Sequence, residues 1–176
     1  MRFAAVLLCA GLCASAQEAK QDPKLAPYYP TPPSIVQKML ELSGLKAGEK
    51  LFDLGSGDGR IVMMAADKFK AHATGVELDP SLARQSAKEI ERRGLKNARI
   101  IEGDILKQDY SSADVVTAYL LPKAMQLVRP ILEAQLKKGA RVIAHDFEMT
   151  GWTAEKVENI EDDGEGRSHT IFLYRR

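Results

Sequence analysis

Leu51-Phe52-Asp53-Leu54-Gly55-Ser56-Gly57-Asp58-Gly59-Arg60-Ile61 is the stretch that decides the fold. Apolar residues lead into an acid, three glycines follow at alternate positions, and an apolar helical pattern resumes at Ile61. Glycine at these positions lets the backbone turn sharply and approach a ligand with no Cβ in the way. A helix starting here would aim its free N–H groups at that ligand. Asp53, at the strand end, would offer a carboxylate to a cationic or hydroxylated group. The loop has the character of a nucleotide-type cofactor site; the plainer reading is a glycine turn between strand and helix.

Outward from the loop, the chain alternates strand and helix. Strands are predicted at 50–54, 73–77, 98–102, 114–119 and 140–145, and helices at 60–69, 80–93 and 122–137. Asp79 is the expected N-cap of the second of these helices, with Pro80 in its first turn and Gly94 as its stop. Met125, Val128, Leu132 and Leu136 form the buried stripe of the third, which Pro130 is expected to kink or split. Ser34 is the expected cap of an earlier helix carrying Ile35, Met39 and Leu42 on one face. Such repeats imply an α/β fold, a mostly parallel sheet with helices on both faces. The C-terminus differs: residues 153–160 and 168–174 flank the acidic turn Glu161-Asp162-Asp163-Gly164-Glu165-Gly166, the pattern of an antiparallel hairpin.

The first sixteen residues read as a separate segment. Arg2 precedes an apolar run that ends Ala14-Ser15-Ala16, the order of a secretory signal peptide cleaved after Ala16. That segment predicts export or membrane association; the alternative is a cytoplasmic protein whose true start lies downstream. Cys9 and Cys13, the two cysteines of the chain, both fall inside it, so a processed chain would have neither disulfide nor thiolate site. Residues 17–33 form a proline-rich arm, expected to be extended, and residues 34–176 form a single domain. Of the 25 basic residues only Arg2 precedes Gln17, so 24 basic residues face 24 acidic ones in the remainder. That balance gives no bulk attraction to nucleic acid. The cluster Arg92, Arg93, Lys96 and Arg99 reads as a solvated helix end. Three scattered histidines without ligand spacing give no metal site.

Two further acids sharpen the cofactor. Glu77 ends the second strand, 24 residues after Asp53, where a carboxylate can accept both ribose hydroxyls. Asp104 follows the third strand, after Gly103. Each alone could be a helix cap; three acids after three successive strands are harder to assign to capping. The third glycine comes one residue too early for the G-x-G-x-x-G spacing of nicotinamide sites.

A parallel sheet closed by a hairpin, with acid-x-Gly-x-Gly-x-Gly at its first strand, resembles the Rossmann-like class I methyltransferases. This resemblance implies S-adenosyl-L-methionine as cofactor, with Thr31, Asp53, Gly55, Ser56, Gly57, Gly59, Glu77 and Asp104 as its binding residues. More narrowly, the chain is similar to the small protein-lysine methyltransferases that include the mitochondrial enzymes for the ATP synthase c-subunit and the adenine nucleotide translocase. The marks are Tyr29-Pro30-Thr31-Pro32, the glycine loop, Gly75-Val76-Glu77-Leu78-Asp79, Gly103-Asp104, Tyr119-Leu120-Leu121-Pro122 and Gly139-Ala140-Arg141-Val142-Ile143-Ala144-His145-Asp146-Phe147, with Trp152 beyond. The resemblance implies that the arm folds over the cofactor and that residues 119–122 line the methyl-transfer site, with Tyr119 and Pro122 as its catalytic residues. It also implies a protein lysine as substrate, a membrane protein among the candidates. The stretch at 119–122 lacks the (Asn/Asp)-Pro-Pro-(Tyr/Phe) of enzymes that methylate base amino groups or glutamine. His145 is a weaker candidate for holding the amine, and a structural histidine is the alternative. Trp152 reads as a hydrophobic plug. The other classes kept open are a small-molecule methyltransferase and a non-catalytic nucleotide-binding protein of the same fold.

Overall fold

A computed structural model of the chain describes residues 29–176. The signal-like segment, with Cys9 and Cys13, and most of the arm lie outside the described residues. Among those residues no helix is long and apolar enough to cross a membrane.

The elements run α1 (Pro33–Leu42), β1 (Lys50–Leu54), α2 (Arg60–Asp67), β2 (His72–Glu77), α3 (Pro80–Arg92), β3 (Ala98–Glu102), a 3-10 turn (Ile105–Lys107), β4 (Val115–Ala118), α4 (Pro122–Gln135), β5 (Arg141–His145), β6 (Lys156–Ile160) and β7 (His169–Arg175). They build one seven-stranded sheet in the order β3-β2-β1-β4-β5-β7-β6. The first five strands pair in parallel, and β7 inserts antiparallel between β5 and β6. The expected fold, parallel sheet and closing hairpin alike, is the one observed.

Alternation along the strands sorts the core into two layers. Leu51, Val115, Ile143, Ile171 and Leu173 face α1 and α2. Leu54, Val116, Ala118, Val142 and Ala144 face α4. Asp53 and Thr117 continue the first of these faces at the carboxyl ends of β1 and β4, where the apolar pattern gives way to polar residues. A ligand site in an open α/β sheet belongs at that edge.

Two local expectations are corrected. Ser34 does not cap α1: the helix starts at Pro33 with Pro32 as its N-cap residue and no side-chain cap. Two consecutive prolines fix φ for the first turn, and proline at N1 has no N–H to satisfy, so a cap is not needed there. Ser34 instead donates its hydroxyl to the Asp163 carbonyl in the hairpin turn at 3.4 Å. Pro130 does not split α4, which runs as one helix through it. Met125, Val128 and Leu132 are buried along one face on both sides of the proline. Asp79 caps α3 as expected, accepting from the N–H groups of Ser81 and Leu82.

Candidate active site

The amides of the glycine loop close against β2. Gly55, Gly57 and Gly59 all have positive φ, 72°, 53° and 76°, a region in which other residues are strained. The N–H groups of Gly55 and Ser56 both donate to the Val76 carbonyl, and that of Gly59 donates to Ser56. The N–H of Gly57 donates to Oε2 of Glu77 at 2.7 Å. These four amides, all before the first residue of α2, are therefore engaged within the protein. A ligand without phosphates has no need of them.

Close approach of the loop to β2 depends on Gly75. A Cβ there would lie 2.6 Å from the Ser56 Cβ and 2.7 Å from Ile100 Cδ1. The Ser56 side chain is turned onto this glycine, and its buried Oγ has no hydrogen-bond partner among the described residues.

Loop, strand ends and arm enclose a cavity of about 400 Å³, within the usual range for small-molecule sites. Thr31, Asp53, Gly55, Ser56, Gly57, Glu77, Asp104 and Tyr119 all line it. So do Tyr29, Leu78, Leu82, Ile105 and Leu120. Two of the expected site residues do not: Gly59 lies behind the loop against Ser86, and Pro122 sits exposed at the start of α4, outside the cavity lining. The peptide before α4 turns away from the sheet edge at Leu121, so Leu120 is the last of that stretch to face inward.

Among the described residues, the lining carries five carboxylates (Asp53, Asp58, Glu77, Asp79 and Asp104) and a single cation, Arg60. Arg60 is committed to Asp58, with Nη2 2.6 Å from Oδ2, and donates through Nη1 to the Thr31 carbonyl at 2.8 Å. This clamp holds the arm over the loop, and the sequence reading missed it.

Asp53 is 2% exposed and accepts a 2.7 Å hydrogen bond from Thr117 Oγ1, its register partner on β4. Burial pushes its carboxyl up to about 7; the Thr117 bond opposes this, and the charges of Glu77 and Asp58 add to it. A cation near Asp53 would favour its ionised form. Glu77 is oriented by two amides, Gly57 on Oε2 and Asp79 on Oε1, leaving lone pairs for hydroxyl donors. Asp104 combines both readings given to it: Oδ1 caps the 3-10 turn by accepting from Leu106 N–H, while the residue lines the cavity. Acid around a buried centre, with apolar Leu78, Leu82 and Ile105 alongside, fits a ligand with a cationic end, vicinal hydroxyls and a flat base. It does not fit a phosphate-bearing one.

Tyr119 bounds the cavity on the side of β5. Its ring lies 4.1 Å from the His145 ring and 6.3 Å from that of Phe147. Burial and then the charge of Asp146 push its phenol up to about 12, so it is a neutral hydrogen-bonding group and not a base. Behind it, Thr31 Oγ1 is 3.2 Å from His145 Nδ1, and His145 Nε2 is 2.9 Å from His169 Nδ1. Burial lowers the His145 imidazole well below its usual value, which keeps it neutral. Trp152 donates to Glu133 and packs edge-on against Tyr174, outside the cavity lining. Arg92 and Arg93 pair with Glu89, and Arg99 donates to Thr74, as a solvated helix end and strand would.

This sheet order, with a glycine loop after β1 and acids after β1, β2 and β3, defines a Rossmann-like class I methyltransferase that uses S-adenosyl-L-methionine. Within that class, the chain belongs to the ANTKMT methyltransferase domain family, whose model matches residues 53–156. A protein-lysine N-methyltransferase of Saccharolobus islandicus is 39% identical, the match covering 84% of this chain and 92% of the relative. The human lysine N-methyltransferase of the ATP synthase c-subunit is 33% identical, over 84% of this chain but only 60% of that protein. Among solved structures, a Salinibacter ruber protein described as an RNA methyltransferase, in complex with S-adenosyl-L-homocysteine, is 38% identical with a TM-score of 0.76. That match covers 84% of this chain and 93% of the other.

Proposed function

We propose that the protein methylates lysine side chains of other proteins, with membrane proteins among its substrates. The observation that carries this reading is the Saccharolobus relative, alike over nearly its whole length and named for that activity. The membrane-protein element rests on the relatives named for the ATP synthase c-subunit and the adenine nucleotide translocase. The description of the Salinibacter protein points to RNA instead. Against that stands a formal net charge of only +1, whereas binding to a phosphate backbone draws on clustered, unpaired lysine and arginine.

In this reading Asp53, Glu77 and Asp104 hold the cofactor, and Thr31 covers it from the arm. S-adenosyl-L-methionine supplies a methyl group on a cationic sulfur that departs as a neutral thioether. The lysine amine must arrive without its proton, its lone pair directed at the methyl carbon. Tyr119, a neutral phenol, orients the amine by hydrogen bonding, and its aromatic surroundings exclude water. Desolvation lowers the amine pKa, and the ammonium proton leaves to solvent before transfer, so no dedicated base is required. Orientation of this kind can supply much of the rate. The test is transfer of labelled methyl groups to a bacterial membrane-protein fraction. Labelled methyllysine after acid hydrolysis is expected, and prior acetylation of substrate lysines should abolish incorporation. Label that survives acetylation would overturn the lysine reading.

A further inference from the structure

Two of the three histidines of the chain, far apart in sequence, converge behind Tyr119. His145 ends β5 and His169 begins β7. Asp146 follows His145 in a left-handed conformation, φ 59°, a region that aspartate enters more readily than most non-glycine residues. Its Oδ1 accepts from the Thr170 N–H at 2.9 Å, and this turns Oδ2 toward the two rings. His145 Nε2, His169 Nδ1 and Asp146 Oδ2 form a triangle with sides of 2.9, 3.4 and 3.5 Å. Ligand atoms about 2.0–2.1 Å from a tetrahedral zinc ion lie about 3.3 Å from one another.

From this convergence we propose that His145, His169 and Asp146 bind a divalent transition-metal ion of the zinc type. The supporting groups are those such a site requires. Metal-bound histidines are oriented through their second nitrogen by an oxygen partner. Here His145 Nδ1 meets Thr31 Oγ1 at 3.2 Å, and His169 Nε2 meets Asp163 Oδ2 at 3.2 Å. Asp163 is itself fixed by Arg167, 2.9 Å away. Both histidines are buried, at 1% and 6% exposure. Two imidazoles and one carboxylate favour zinc, cobalt, nickel or copper over magnesium or calcium. Three protein ligands leave a further position for water. The ion would pin the carboxyl end of β5 to the start of β7 and, through His145 and Thr31, stiffen the arm over the cavity. This site stands independently of the lysine reading.

The alternative arrangement of the same atoms is a metal-free relay. In it Thr31 donates to His145, His145 to His169, and His169 to Asp163. Titration of the full-length, tag-free, chelator-treated protein with cobalt(II) separates the two. The site predicts one equivalent bound, with visible d–d absorption, and displacement by zinc. With free zinc at a hundredfold excess over its Kd, Tm should rise by roughly 5–10 °C. His169→Ala and Asp146→Asn should abolish or strongly weaken cobalt binding. His72→Ala, at the remaining, exposed histidine, and the double variant Cys9→Ser/Cys13→Ser should leave it unchanged. Absence of saturable cobalt or zinc binding by the wild-type chain would establish the relay and overturn the site, a measurement that needs no variant to fold. Binding that survives in His169→Ala but disappears in Cys9→Ser/Cys13→Ser would overturn it as well.

Discussion

The residue that most rewards attention is Asp53. A carboxylate 2% exposed, with Glu77 and Asp58 as further negative charges nearby, has an ionisation displaced to about 7. Because the folded value is raised, the neutral acid is favoured below it, and a cationic ligand prefers the ionised form. Binding of S-adenosyl-L-methionine therefore expels a proton and tightens as pH rises from 5 to 7, by at most about tenfold per unit. Asp53→Asn should weaken binding at pH 7 by at least about tenfold and flatten this dependence, as read by calorimetry in buffers of different ionisation enthalpy. Tyr119 makes a different prediction. With its phenol near 12 it acts by holding the amine, so Tyr119→Phe should lower kcat by roughly 10- to 100-fold. Cofactor Kd should change less than about twofold, because the lost interaction belongs to the transition state.

At the scale of elements, the loop works as a wedge between β1 and β2, and its geometry rests on Gly75 as much as on its own glycines. Gly75→Ala would set a methyl group against Ser56 and Ile100. Overpacking of this kind costs about 1–3 kcal/mol, and Tm should fall by roughly 2–4 °C for each kcal/mol in a chain of this size. The arm is held differently, by a polar clamp. Arg60→Ala removes the bond to the Thr31 carbonyl, and hydrogen exchange at Val36, whose N–H donates to the Pro32 carbonyl, should quicken while the sheet core keeps its protection. What sequence could show at this scale was local. Strand, glycine loop and capped helix lie within a few residues of one another, so their pattern is visible in a single window. Asp53, Glu77 and Asp104 could be placed because each simply follows a strand. The Thr117 hydroxyl could not, since it reaches Asp53 only through the β1–β4 register. Arg60 reaching back to Thr31 spans 29 residues, and no periodicity announces it. Pro122 was drawn into the site by its neighbours in sequence, yet the chain turns outward one residue earlier. His145 and His169 looked scattered because they lie 24 residues apart; antiparallel insertion of β7 beside β5 brings them together.

At the scale of the molecule, the sheet gathers acid at one edge, and the chain as a whole carries a formal net charge of only +1. That distribution suits a cationic cofactor and gives no broad attraction to a polyanion. It also separates the two descriptions carried by close relatives, protein lysine in one case and RNA in another. The most direct measurement offers both substrates at once: purified enzyme, methyl-labelled S-adenosyl-L-methionine, and total protein and total RNA from one bacterial lysate at physiological salt. The account predicts label in protein, recovered as methyllysine, and incorporated more slowly with Tyr119→Phe. Label recovered in methylated nucleosides, with protein unmarked, would contradict it.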